Sequence, residues 1–148
     1  MPGGALGAQR VRLVRAPERG LRGEPPVERV VAAHDVGRAV NPMLCEGQIE
    51  GAVHMGLGYA LSEEFPADDQ GRPTNLTLRS LAIIRPKDMP PVEVILVESP
   101  QPDSPYGIKG VGEIGIVGVA AAIANAVHHA TGKRIRDLPI TLDKLDRF

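Results

Sequence analysis

The feature that most constrains the fold is an uncharged, proline-free run at residues 114–130. Its alanines favour helix strongly. It follows directly on a glycine-rich stretch, residues 105–113. The glycines there allow positive φ angles and close approach of the backbone to a flat ligand. The sequence therefore predicts a loop that enters a buried helix, with the carboxylate of Glu113 at the junction.

Glu113 has two interpretations on pattern alone. A carboxylate beside a bound ligand is a natural proton acceptor, especially where burial raises its pKa towards the working pH. An acidic residue in the first turn of a helix is also common, because it complements the helix dipole. The loop and the helix by themselves leave both interpretations open.

A third interpretation of the loop is a dinucleotide-binding fingerprint. Three glycines fit the spacing G-x-G-x-x-G, namely Gly110, Gly112 and Gly115. Asp137 lies roughly 20 residues further on, as that motif requires. However, the nearest strand pattern ends at Val97, well before the loop, and Glu113 would bring negative charge to the pyrophosphate site. The three residues before Asp137 are also too few for a second strand, so the pattern disfavours this fingerprint.

Composition narrows the class of protein. The chain has 148 residues, 43% of them apolar, which suits one domain with a real core. The formal net charge is −1, and the basic N-terminal stretch lacks interleaved aromatic residues, so no nucleic-acid surface is predicted. The run at 114–130 contains Asn125 and two glycines, and no membrane span is predicted. The single cysteine, Cys45, fits a reducing compartment, and a cytoplasmic location is expected.

The predicted elements indicate an α+β fold. Residues 1–26 are punctuated by glycine and proline without a sustained period, and we predict them to be poorly ordered or atypical. The pattern then changes to strands at 27–33, 75–84 and 92–98 and to helices at 43–63 and 114–130. This order predicts a small mixed sheet with two main helices on one face.

The first predicted helix carries a second candidate site. Gln48 shares a helix face with Gly51 and Ala52. Its amide can donate to and accept from a buried planar ligand, although most such amides are ordinary satisfied side chains. Gly47 and Gly51, four residues apart, would form a smooth face for another backbone or a cofactor. The four histidines lack the spacing of a metal set, and no metal ligands are predicted.

Taken together, these segments resemble the C-terminal segment of the molybdopterin-binding (large) subunit of the xanthine dehydrogenase/aldehyde oxidase family. The matching motifs occur in order: Asp35-Val36-Gly37, Asn41-Pro42, Gly47-Gln48-Ile49-Glu50-Gly51, Met89-Pro90-Pro91-Val92-Glu93-Val94, Lys109-Gly110-Val111-Gly112-Glu113 and Asp137-Leu138-Pro139-Ile140. The resemblance covers residues 27–142, and it assigns 27–148 to the C-terminal part of that domain. Residues 10–26 look unlike the acidic strand hairpin that the family leads us to expect there.

The resemblance implies that Glu113 is the active-site base of a molybdenum hydroxylase. In that family the base takes a proton from a hydroxyl ligand of molybdenum while the oxygen attacks an electron-poor carbon of an N-heterocycle or aldehyde, and hydride passes to a sulfido group. Gln48 matches the glutamine that hydrogen-bonds the pterin. Three further residues match the loop beside the metal centre: Gly110, Val111 and Gly112. The pterin holds molybdenum there, so the resemblance implies no metal ligand in this chain.

The resemblance also implies an enzyme of several parts. The molybdenum–molybdopterin cofactor, with or without an added nucleotide, would be shared with the remaining molybdopterin-binding segment. Electrons would leave through iron–sulfur clusters and FAD on partner subunits. We therefore expect the isolated chain to be inactive. The alternative is a truncated, non-catalytic remnant or interaction module of the same fold, which would retain the same loop.

Overall fold

The computed structural model describes residues 7–13 and 27–146, with side chains from Val27 to Leu145. In these ranges three strands form one sheet in the order β1-β2-β3: β1 is Gly7–Leu13, β2 is Val27–Asp35 and β3 is Val92–Val97. β1 pairs with β2 antiparallel, and β3 pairs with β2 parallel. Because a parallel pair needs a long crossover, the segment between β2 and β3 carries the first helix.

Four helices accompany the sheet in the described residues: α1 (Pro42–Leu61), α2 (Ile114–Val117), α3 (Val119–Thr131) and α4 (Leu142–Asp146). α1 begins where the side chain of Asn41 accepts a hydrogen bond from the backbone of Leu44 at 3.1 Å. α3 ends at Gly132, whose φ of 76° is the left-handed conformation of a helix C-terminus. Both termini follow from local sequence.

The core lies between the sheet and the helices. Alternate residues of β2, Val30, Ala32 and His34, are buried, as expected of a strand with one covered face. α1 and α3 approach closely because Gly56 has no side chain: a Cβ there would lie 2.5 Å from Cβ of Val119. The predicted α+β fold with a small mixed sheet and two main helices is therefore confirmed.

The stretch Ile114–Thr131 is long and apolar enough to cross a membrane, by length and composition alone. Its helical run is interrupted at Gly118, which separates α2 from α3. One side of α3 is fully buried in the core through Val119, Ile123 and Val127. The absence of a membrane span stays a prediction.

The prediction of a strand at 75–84 is wrong. This segment forms turns. The hydroxyl of Ser80 donates to the backbone oxygen of Thr77 at 2.8 Å, and the backbone of Ser80 donates to the carbonyl oxygen of Thr77 at 3.0 Å. Such local bonds compete with strand pairing.

Within residues 1–26, which are predicted to be poorly ordered or atypical, Gly7–Leu13 form β1. Their pairing runs from Gly7 opposite His34 to Leu13 opposite Val27. β2 supplies the hydrogen-bond partners, so the strand did not need a strong pattern of its own. The other residues of 1–26 lie outside the described part of the chain.

Candidate functional site

The candidate site lies at the edge of the sheet where β2 and β3 end. Because the two strands are parallel, the segments that follow them emerge at the same edge, which is where ligands bind in many such sheets. The glycine loop lies against the segment after β2 through two backbone bonds. The amide of Arg38 donates to the oxygen of Gly107 at 2.9 Å, and the amide of Lys109 donates to the oxygen of Val36 at 3.1 Å.

A buried ion pair reinforces this contact. Nζ of Lys109 lies 2.5 Å from Oδ2 of Asp35, and each side chain is only 10% exposed. The other oxygen of Asp35 accepts a hydrogen bond from the backbone of Gly37 at 2.9 Å. The hydrogen bond from Lys109, followed by the one from Gly37, holds the pKa of the Asp35 carboxyl below its usual value. The lowered pKa favours the carboxylate form of Asp35.

Gly37 allows the two segments to meet. Its φ is 67°, and a Cβ there would lie 2.5 Å from the oxygen of Gly107 and 2.8 Å from the nitrogen of Lys109. A side chain at this position would push the loop away from β2. The loop itself turns sharply at Tyr106 and Gly107, with φ values of 57° and 73°. The backbone of the glycine loop therefore lies directly against the backbone of the segment after β2.

Glu113 is the residue immediately before α2. Its side chain is exposed and makes no capping hydrogen bond to that helix. The carboxylate therefore does not cap α2, and the interpretation that it complements the helix dipole stays a prediction beside the catalytic one. Within the described part of the chain no other segment covers this side chain.

The rest of the loop separates into exposed and packed residues. Gly110 and Gly112 are exposed, with no atom within 4 Å of where a Cβ would stand. Val111 between them packs against the core. The dinucleotide fingerprint fails on geometry, because β3 ends at Val97 and the four-residue α2 is not the helix that such a site needs.

Gln48 stands on the exposed side of α1, at the turn that contacts α2. A Cβ on Gly115 would lie 2.7 Å from Cβ of Ala52 and 3.3 Å from Cα of Ile49. The structure therefore brings the helix turn that carries Gln48 against the residues that follow Glu113. Beside Gln48, both Gly47 and Gly51 have open space where a Cβ would stand. The two candidate sites predicted from the sequence, the glycine loop with Glu113 and the helix turn with Gln48, therefore lie on elements that contact each other.

No group of three or more His, Cys, Asp and Glu side chains is arranged to hold a metal ion within residues 27–145. Sequence reasoning assigned no role to the pair of Asp35 and Lys109, although both residues belong to the matching motifs. Their separation of 74 residues hides the contact. The available signals were an aspartate at the end of a predicted strand and a lysine at the start of the glycine loop.

Comparisons with known proteins agree with this architecture. Residues 20–90 match the family model of the molybdopterin cofactor-binding domain. The aldehyde oxidoreductase molybdenum-binding subunit PaoC of Escherichia coli (strain K12) is 47% identical over 125 residues, which are 83% of this chain and 17% of that protein. The putative xanthine dehydrogenase molybdenum-binding subunit XdhA of the same strain is 42% identical over 120 residues, which are 80% of this chain and 16% of that protein.

Solved structures give the same result. The crystal structure of quinoline 2-oxidoreductase from Pseudomonas putida 86 matches with a TM-score of 0.76 and 35% identity, over 82% of this chain and 16% of that one. The aldehyde oxidoreductase from Desulfovibrio gigas matches with a TM-score of 0.70 and 35% identity, over 80% of this chain and 13% of that one. The chain thus spans about a sixth of the length of the curated relatives it matches.

The chain belongs to the molybdopterin-binding subunits of the xanthine dehydrogenase/aldehyde oxidase family, as its motifs indicated. Its relatives are subunits of molybdenum-dependent oxidoreductases. The chain corresponds to one segment of such a subunit, the segment that carries the glycine loop and α1.

Proposed function

We propose that this chain is part of a molybdenum hydroxylase that oxidises an N-heterocycle or an aldehyde with water as the source of oxygen, and that Glu113 is its active-site base. One observation carries the proposal. The carboxylate of Glu113 is exposed and does not cap α2, while the backbone on both sides of it is held against β2 and α1. A carboxylate that is placed firmly and left uncommitted suits proton transfer.

The residues present fit a large flat cofactor. Four exposed glycines offer open backbone, in α1 and in the loop: Gly47, Gly51, Gly110 and Gly112. Gln48 stands beside the two glycines of α1 with an exposed side-chain amide that can donate and accept hydrogen bonds. We assign cofactor contact to Gln48 and to the loop residues Gly110, Val111 and Gly112. Molybdenum–molybdopterin bound there would supply the two-electron oxidation that side chains lack.

In this proposal Glu113 takes the proton from the oxygen that attacks the substrate carbon. It needs to be within hydrogen-bond reach of that oxygen and shielded from bulk water. The fixed loop would meet the first condition by holding the carboxylate in place, and the complementary segment would meet the second by covering it. The isolated chain is accordingly proposed to be inactive.

The partners follow from the same reasoning. The chain spans 17% of its relative PaoC, so the rest of the molybdopterin-binding subunit would come from another chain or segment. One relative is a dehydrogenase complex subunit gamma from Paenarthrobacter nicotinovorans, 36% identical over 120 residues, 79% of this chain and 15% of that protein. We propose iron–sulfur and FAD partners in the cytoplasm to accept the electrons.

The test is co-expression of the chain with a complementary molybdopterin-binding segment and electron-transfer subunits. Molybdenum content and the oxidation of aldehydes and N-heterocycles are then measured for the wild type, Glu113→Gln and a control, Glu46→Gln, which changes another exposed glutamate. We expect Glu113→Gln to retain molybdenum and lose roughly 10²- to 10⁴-fold in turnover, the usual contribution of a general base.

Two results would count against the proposal. An active complex in which Glu113→Gln oxidises substrate at the wild-type rate removes Glu113 from the role of base. A complex that assembles but never retains molybdenum favours the non-catalytic module.

A further inference from the structure

The backbone that carries Glu113 is anchored at two points. On one side, four residues earlier, the amide of Lys109 donates to Val36, directly after β2, and its ammonium group pairs with Asp35 at the end of β2. On the other side, two residues later, Gly115 faces α1, since a Cβ on it would lie 3.3 Å from Cα of Ile49. Between these points Gly110 and Gly112 are exposed, and a Cβ on either would meet no atom within 4 Å. The position of Glu113 therefore depends on the two anchors, together with the packing of Val111 and Ile114.

The anchor at Lys109 depends on charge as well as on backbone contact. The pair of Asp35 and Lys109 is buried, and Asp35 is itself oriented by the amide of Gly37. A second ion pair, Arg29 of β2 with Glu93 of β3, provides a comparison. Its side chains are 56% and 44% exposed, and exposed pairs contribute little. Only the buried pair reaches from the sheet to the glycine loop.

A buried ion pair is a costly way to gain stability, because desolvation offsets much of the attraction. Apolar side chains of similar size could fill the same space. They would not, however, fix the direction of the loop, whereas a hydrogen-bonded ammonium and carboxylate do. The geometry of the pair thus fits a need for placement better than a need for stability.

We propose that Asp35 and Lys109 are positioning residues for Glu113: their ion pair ties the middle of the glycine loop to the end of β2 and so sets where the carboxylate stands. What Glu113 does once it is in place rests on the proposed function. The placement itself is a property of this chain and can be measured without cofactor.

Hydrogen exchange on the full chain tests the placement. The two reporters are the amides of Arg38 and Lys109, which join the loop to the segment after β2. The main variant is the double change Asp35→Asn with Lys109→Met, which removes both charges, keeps an acceptor for Gly37 and leaves no buried unpaired charge. Glu93→Gln is the control, because it breaks the exposed ion pair between Arg29 of β2 and Glu93 of β3.

We expect the double variant to fold with a melting temperature near that of the wild type. The two reporter amides should exchange about tenfold faster or more, since hydrogen bonds between charged groups are the strong ones. Lys109→Arg, which keeps a positive charge, should exchange at an intermediate rate, and Glu93→Gln should match the wild type. Unchanged exchange in the double variant would overturn the proposal. So would equal acceleration throughout the sheet, because that is the mark of a purely structural pair.

Turnover in the reconstituted complex supplies the second readout. The double variant should lose about 100-fold in kcat with KM nearly unchanged, because a misplaced base affects the chemical step and not substrate binding. If Glu113→Gln abolishes turnover while the double variant keeps the wild-type kcat, the positioning role is wrong and the base assignment stands. If Glu113→Gln has no effect while the reporter amides accelerate, the proposed function fails and the placement of the loop stands.

Discussion

The two faces of α1 use small and apolar residues to opposite effect. The inward face packs tightly, and Gly56 is small because Val119 occupies the space that a side chain would need. The outward face carries apolar or small residues at four-residue spacing: Met43, Gly47, Gly51, Met55 and Tyr59. All five residues are exposed, and a Cβ built on either glycine would meet no atom within 4 Å. A helix that is apolar on all sides is normally buried on all sides.

The described residues cover only one face of α1. Within them the inward face is packed, and no described segment covers the outward face. The chain spans about a sixth of its relatives' length, which leaves ample protein to cover that face. Gln48 borders the outward face, so the proposed cofactor contact and the uncovered surface lie together on one helix.

The largest expected difference between the faces is in packing energy. Leu57 is 1% exposed, and Leu57→Ala should lower the free energy of unfolding by about 2–5 kcal/mol through lost burial and the cavity that remains. Met55, on the outward face, is 52% exposed, and Met55→Ala should change the free energy of unfolding by less than about 0.5 kcal/mol. Urea denaturation measures both. Equal losses would mean that the outward face is packed already.

Glycine substitutions should differ in sign between the faces. Gly56→Ala places a Cβ against Val119 and should destabilise the chain by about 1–3 kcal/mol, the usual range for overpacking. Gly51→Ala meets no atom and should stabilise the chain by up to about 1 kcal/mol through helix propensity. Thermal unfolding of the two variants gives the comparison. A destabilised Gly51→Ala would show that the outward glycine has a neighbour.

The outward face of α1, unlike the inward face, should also promote self-association. We expect the isolated chain to associate through its uncovered apolar surface. Met55→Lys combined with Tyr59→Lys should reduce the mean mass in light scattering and leave the melting temperature nearly unchanged. Gln70→Lys, an exposed position away from α1, is the matched control for added charge. A wild-type chain that is monomeric and melts cooperatively would contradict this expectation.

The smallest expected effect is on the pH dependence of stability, through the buried His34 of β2. Burial lowers the pKa of His34 below its ordinary 6.5. The unfolded chain therefore takes up a proton at a higher pH than the folded chain. Stability should be full above about pH 6.5 and should decline as the pH falls from there towards the lower folded pKa.

His34→Gln should remove this part of the pH dependence, whereas the exposed His129→Gln should leave it as in the wild type. Melting temperatures recorded from neutral pH down to pH 5 measure the slope of each variant. The same slope in all three proteins would show that His34 does not contribute.

Much of the fold could be predicted from local signals. Asn41-Pro42 marks the start of α1, Gly132 marks the end of α3, and β-branched residues mark β3, because each signal acts within a few residues. The elements that local signals did not predict depend on other parts of the chain. β1 exists through its pairing with β2, and the turn at Thr77 exists through side-chain bonds that outcompete a strand pattern.

The candidate site divides in the same way. Glu113, Gln48 and the loop residues could be named from their order and spacing, and the family assignment based on them is confirmed. The pair of Asp35 and Lys109 could not be named, because 74 residues separate its members and only the return of the glycine loop to the end of β2 brings them together.

The sequence by itself determined which chemical groups this protein brings to the site: a carboxylate after a glycine loop, an amide on a glycine-rich helix and the family to which both belong. Only the tertiary structure decided that the carboxylate is exposed, that the loop is held by a buried ion pair and that one face of α1 lacks cover. The physical reason is that residue identity is local, whereas burial and pairing arise from contacts between segments distant in the chain.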